Sequence, residues 1–136
     1  VRRVFVDTSA FFALTVSKDE NHVRTRELFA QAARESWKLV TTNAVLFETY
    51  ALLLNRSRPG RQKALEFLEA VETDTYHVVR VRKTDEDKAI ALVRSHADKT
   101  YSLCDALSFV VMERLRIRDA ISFDQDFRSH GRFAIL

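Results

Sequence analysis

Apolar residues along the chain fall into short blocks separated by polar punctuation, and the blocks alternate between two periods. Val4-Phe5-Val6 is a β-branched and aromatic run that stops at Asp7-Thr8-Ser9, which predicts a buried first strand followed by a turn or helix start. Ala10 to Val16 then reads as a short helix. Ser17-Lys18-Asp19-Glu20 has the form of a capping box, predicting a longer amphipathic helix to about Ser36 with Val23, Leu28, Phe29 and Ala32 on its inner side. Leu39-Val40-Thr41 reads as the second strand. Asn43 is a candidate cap for a helix from Ala44 to about Asn55, which must stop before Arg58-Pro59-Gly60, and a further helix runs from Arg61 to about Val71. Tyr76 to Val81 predicts a third strand. Thr84-Asp85-Glu86-Asp87 is another capping box, opening a helix to about Ala97, and Ser102 opens the next, from Leu103 to about Leu115. Ala120 to Phe123 predicts a fourth strand, Asp124 to Phe127 a helical turn, and Phe133 to Leu136 a fifth strand at an edge. Strands alternating with helices imply right-handed crossovers and a parallel sheet of four or five strands covered on both faces, a three-layer α/β/α sandwich.

Composition narrows the function classes. A chain of 136 residues, 46% apolar and 30% charged, suits one globular domain spanning 1–136. With 2 glycines and 1 proline it has too few turn formers for a turn-rich all-β fold. Gly60 and Gly131 also cannot build a phosphate-cradling glycine loop, so no nucleotide cofactor is expected. Cys104 is the single cysteine, which excludes an intrachain disulfide or a cysteine-rich zinc site and points to the cytoplasm. No apolar run approaches membrane-spanning length, and no targeting signal is expected. The formal net charge of +3 tolerates a phosphate-bearing partner without demanding one.

Four carboxylates stand in apolar surroundings, where a charge is costly unless something compensates it. Asp7 follows the first strand, Asp124 follows the fourth, and Asp105 lies in the first turn of the helix leading into that fourth strand. In open parallel sheets the ligand site lies beyond the carboxyl ends of the strands, so connectivity alone puts Asp7 and Asp124 there. Asp7, Asp105 and Asp124 each also fit a helix-capping role. Glu48 resists that account: it is the only charged residue between Ala44 and Leu54, with no Lys or Arg three or four places away. Asp85, Glu86 and Asp87, by contrast, read as an exposed helix start. A cluster of four such acids is stabilised by a hard cation such as Mg²⁺ or Mn²⁺, which prefers oxygen ligands. The chemistry that follows is phosphodiester hydrolysis by an acidified water.

Four stretches carry a family resemblance: Val4-Phe5-Val6-Asp7-Thr8-Ser9-Ala10, Thr42-Asn43-Ala44-Val45-Leu46-Phe47-Glu48, Ser102-Leu103-Cys104-Asp105-Ala106-Leu107-Ser108 and Ser122-Phe123-Asp124-Gln125-Asp126-Phe127. In this order the chain resembles the PIN-domain ribonucleases, and among them the small stand-alone toxins of VapC type. The resemblance implies a flavodoxin-like fold and Mg²⁺- or Mn²⁺-dependent RNA cleavage, with Asp7, Glu48, Asp105 and Asp124 as the acidic residues. It also implies homodimers and inhibition by a cognate antitoxin protein. Ser122 stands where threonine is more usual, a change that keeps the hydroxyl.

Several residues surround that expected site. Thr8, Ser9, Asn43 and Ser122 are candidates to hydrogen-bond the carboxylates, with ordinary capping as their alternative, and Asp126 is a rival or helper for Asp124, which the spacing from Ser122 and Phe127 favours. Arg56, Arg58 and Arg61, with Lys63, are candidate RNA phosphate contacts, as are Arg80, Arg82 and Lys83. Tyr101 stands just before the Asp105 helix, where it could meet a nucleotide. Phe47, Tyr50, Leu53 and Leu54, with Phe67 and Leu68, offer more apolar surface than one core needs and are the expected dimer face. None of the four histidines is paired at metal-ligand spacing. The competing readings are a non-toxin nuclease of RNA processing, a DNA nuclease, a non-catalytic binding module of the same fold, and a receiver domain. The receiver fits poorly, because Val81-Arg82-Lys83 offers no phosphoacceptor aspartate after the third strand.

Overall fold

A computed structural model describes residues 1–136. The strands β1 (Arg3–Val6), β2 (Lys38–Thr42), β3 (Tyr76–Val79), β4 (Asp119–Ile121) and β5 (Ala134–Ile135) form one sheet in the order β3-β2-β1-β4-β5, every neighbouring pair parallel. Successive strand side chains point to opposite faces, so the complete burial of Val4, Phe5 and Val6 means that both faces of β1 are covered. The cover comes from α1 (Thr8–Thr15), α2 (His22–Arg34), α3 (Asn43–Arg56), α4 (Gly60–Val71), α5 (Lys83–Ser95), α6 (Leu103–Leu115) and α7 (Gln125–His130), giving the expected α/β/α layers. No helix is long and apolar enough to cross a membrane.

One hydrophobic cluster joins Phe11, Leu53 and Phe67 to Phe109, Met112 and Phe127 by way of the strand residues. Aromatic edges organise it: Phe11 meets Phe67 at 5.3 Å and Phe109 meets Phe127 at 4.8 Å, both edge to face. Truncating Phe109, buried at 1% exposure, removes about 3–5 kcal/mol of packing. The return from α3 to α4 depends on Gly60, because a Cβ there would overlap the carbonyl oxygen of Leu54.

Local chemistry moves several expected boundaries. The capping box at Ser17 does not open a helix. Asp19 instead folds back to accept the amide of Asn21 at 2.8 Å, a side-chain turn that competes with helix, and α2 begins at His22. Its inward stripe becomes Thr25, Leu28 and Ala32, leaving Val23 68% exposed. Thr42 rather than Asn43 caps α3, its hydroxyl accepting the amide of Val45 at 3.2 Å. At α5 the helix starts at Lys83, and Asp85 accepts the amide of Arg82 at 3.0 Å, so Asp85 supplies the box carboxylate. Asp85 is also buried rather than exposed, because Arg114 on α6 reaches it with two nitrogens at 2.9 Å. The fourth strand stops at Ile121, and Ser122 and Phe123 become the lead-in to the next cap.

Tyr101 is buried against Phe109 and His130 instead of meeting solvent. Of the apolar positions on α3 and α4, Leu53 and Phe67 belong to the core, while Phe47, Leu54 and Leu65 remain exposed.

Candidate active site

The register of β1 against β4 pairs Val6 with Ile121, so the residues after the two strands emerge side by side. Asp7 caps α1 and Asp124 caps α7, each accepting the amide two residues on. The capping reading is therefore correct for both, and it coexists with a second task. Two serines join the caps. Ser9 Oγ and Ser122 Oγ each donate to Asp7 Oδ2 at 2.9 Å. In turn Ser9 Oγ accepts the amide of Phe123 at 2.9 Å, and Ser122 Oγ accepts the amide of Asp124 at 3.1 Å. The hydroxyls thus bind a carboxylate on one strand exit to the backbone of the other, which fixes the separation of the two acids.

Asp105 arrives from α6, where Ser102 Oγ accepts its amide at 3.0 Å and sets the helix start. Although 5% exposed, its carboxylate has no cation beside it. Burial first, and then the charges of Asp124, Asp7 and Glu48, push its pKa up to about 8. Asp7, 2% exposed, is pushed up to about 6 by burial, with Asp124 adding and the hydrogen bonds of Ser9 and Ser122 opposing. The Cys104 thiol is raised by burial and then by Glu48, Asp7 and Asp105, so it is no nucleophile. Glu48, half-buried on α3, therefore shares one electrostatic neighbourhood with the three aspartates.

Carboxylate oxygens of Asp105, Asp124 and Asp126 lie within 4.8 Å of one another, a spacing that one cation can bridge. An all-oxygen donor set suits a hard ion such as Mg²⁺ or Mn²⁺. Thr8, which follows Asp7 directly in the chain, keeps its buried Oγ1 without a hydrogen-bond partner. The residues present fit such an ion.

The other expected site residues divide. Ser9 and Ser122 gather at Asp7, the Thr8 hydroxyl bonds none of the acids, and Asp126 comes within ligand reach of Asp105 and Asp124. Asn43 does not join them; its Oδ1 accepts the amide of Val81 at 2.9 Å and ties the chain entering α5 to α3. Arg56, Arg58 and Arg61 are exposed at the other end of α3, about 12 Å of helix beyond Glu48. Sequence reasoning missed the burial of Asp85. The signal was faint, since its partner Arg114 lies 29 residues away.

Comparison with known proteins decides the family. The sequence profile of the PIN domain matches residues 4–132. The chain belongs to the PIN domain family. It is 34% identical over 128 residues, 94% of each chain, to the 23S rRNA-specific endonuclease VapC20 of Mycobacterium tuberculosis. It is 32% identical over 125 residues to a VapC ribonuclease of Archaeoglobus fulgidus, covering 90% of this chain and 77% of that one. The crystal structure of VapC20, described as a sarcin-ricin loop cleaving toxin, superposes with a TM-score of 0.88 at 31% identity, covering 97% of this chain and 98% of that chain. VapBC2 from Rickettsia felis shares the PIN fold at a TM-score of 0.67 and 9% identity over 98% of this chain and 97% of that chain.

Proposed function

We propose that this PIN domain is a Mg²⁺- or Mn²⁺-dependent endoribonuclease acting in the cytoplasm, the toxin of a toxin–antitoxin pair. The observation that carries the reading is a buried aspartate, Asp105, among Asp7, Glu48, Asp124 and Asp126 with no basic side chain to neutralise it. Such a group is strained without a cation and well suited to one. Asp105, Asp124 and Asp126 would hold a divalent ion, which would supply Lewis acidity for phosphodiester hydrolysis.

The chain's own groups do the rest. Ser9 and Ser122 hold the Asp7 carboxylate in one orientation, and Ser102 starts the helix that presents Asp105. Glu48, without an ion-pair partner, is the proton acceptor for the attacking water. The relative VapC20 is named for 23S rRNA, which makes ribosomal RNA the first substrate to test. The antitoxin silences the enzyme by presenting a cationic side chain to the same carboxylates. The exposed Phe47, Leu54 and Leu65 on α3 and α4 support a homodimer, checked by light scattering.

The test is cleavage of purified RNA with end mapping. Cleavage requires Mg²⁺ or Mn²⁺, stops in excess EDTA, and is absent in Asp7→Asn; undiminished cleavage in EDTA overturns the metal assignment. Expression of the wild type, but not of Asp7→Asn, arrests growth if the toxin reading holds.

A further inference from the structure

A groove of about 630 Å³ lies between α5, α6 and the end of α7, away from the carboxylates. Leu92, Tyr101, Phe109, Val110 and His130 line it, and Lys88, Lys99, Arg114 and Arg132 supply its charge. A second hollow, lined by Arg116, Arg118 and Phe133, shares Glu113 and Arg132 with the first, so the two adjoin across these side chains. Six cations therefore line one channel whose single acid is Glu113.

Most of that charge is unanswered. Arg114 is committed to Asp85, and Arg132 meets Glu113 at 3.4 Å in an exposed pair of little strength. Lys88, Lys99, Arg116 and Arg118 are in no ion pair. By contrast the hollow beside Arg61 on α4 is shared with Glu66 and Glu69, which cancels its field.

Resting on the ribonuclease reading, we propose that this channel is a second RNA-binding surface, which holds a single-stranded segment of the substrate flanking the cleaved bond. Charge complementarity selects a polyanion, and guanidinium forks match phosphate oxygens. Tyr101 and Phe109 lie buried behind the groove, and the rings that reach its surface, His96, His130 and Phe133, favour nucleic acid over an acidic peptide, since basic grooves that also carry rings hold backbone and bases together. His130 stacks on Phe109 at 4.2 Å and 3°, and Tyr101 closes on both, so the wall is rigid before any ligand arrives. Position agrees as well. Phe109 lies one helical turn beyond Asp105 on α6, and α7 has Asp124 as its cap and His130 at its end, so the same two helices border both the acids and the channel.

The experiment measures binding of a labelled single-stranded oligoribonucleotide by fluorescence anisotropy across a salt series. The background is Asp7→Asn, so that the RNA survives. Lys88→Ala, Lys99→Ala and Arg118→Ala are each expected to weaken binding about threefold and to lower the salt slope by about 0.7 per lost phosphate contact. Lys18→Ala on the opposite half of the chain serves as the control and leaves both unchanged. Thermal melts confirm that each variant is folded. Affinity and slope unchanged in all three variants overturn the proposal. So does a result in which poly-glutamate, and not RNA, loses affinity with them, which would assign the channel to an acidic protein segment. Cleavage by the wild-type protein is assayed in parallel: its absence defeats the ribonuclease reading, whereas cleavage with unaltered RNA binding defeats only the channel.

Discussion

Two buried aspartates on neighbouring helices meet opposite fates. Asp85 on α5 is 1% exposed and Asp105 on α6 is 5% exposed, so both carboxylates have lost most of their water. At Asp85 burial works to raise the pKa, but the hydrogen bonds and charge of Arg114, with the Arg82 amide, outweigh it and hold the group below its ordinary value. At Asp105 burial and three neighbouring acids act in the same direction. Burial alone therefore does not distinguish a structural acid from a functional one. The distinction lies in whether the protein supplies the compensating charge or leaves that to a ligand.

The largest effect expected from this contrast is on activity. Asp105→Asn lowers RNA cleavage by roughly a hundredfold or more, because it removes both a metal ligand and a charge, while the metal-free melting temperature does not fall. Steady-state cleavage rates and a thermal melt check the two halves together; a large loss of stability would place Asp105 with Asp85 as a structural acid.

Arg114→Ala should do the reverse. It strands a buried carboxylate and costs about 3 kcal/mol of stability, read as a drop of roughly 10 °C in melting temperature. Asp85→Asn in the same chain recovers most of that loss if the stranded charge is its cause.

Acidity offers a third way to separate the two. A carboxyl that is harder to ionise in the fold than in the unfolded chain adds stability below its ordinary pKa of 3.8, and that stability is lost as pH rises through the folded value. With Asp7 near about 6 and Asp105 near about 8, the metal-free protein should lose stability steadily from mild acid to about pH 8. Added Mn²⁺ restores it at the alkaline end, and Asp105→Asn flattens the upper part of the profile. Melting curves across pH, with and without Mn²⁺, decide this.

The smallest effect concerns orientation. Ser122→Ala deletes one of the two hydroxyls that donate to Asp7 Oδ2 and raises the Asp7 pKa further. Activity falls only a few-fold, about the size of one lost hydrogen bond. The acid limb of the pH–rate profile moves upward, and Ser122→Thr, which keeps the hydroxyl, restores it.

The linear pattern already contains the strand-and-helix order, because burial on both faces writes β1 as the unbroken run Val4-Phe5-Val6, and the parallel topology then places Asp7 and Asp124 at one edge. Glu48 was legible for a different reason, as a charge with no helical neighbour to pair with. What the sequence could not carry are contacts whose partners are distant along the chain. Ser9 and Ser122 read equally as capping residues and as hydrogen-bond partners of the carboxylates, and only the side-by-side exit of β1 and β4 brings both onto one oxygen of Asp7. Asp126 read as a rival or helper for Asp124, and only the fold brings it within ligand distance of Asp105 as well. Asp85 and Arg114 stand 29 positions apart in sequence on helices that packing brings together, and the pair changes an apparent surface charge into an internal one. Local propensity and periodicity act over a few residues, so they determine which elements form. Which charges are answered is a property of the space between elements, and that space exists only once the layers have closed.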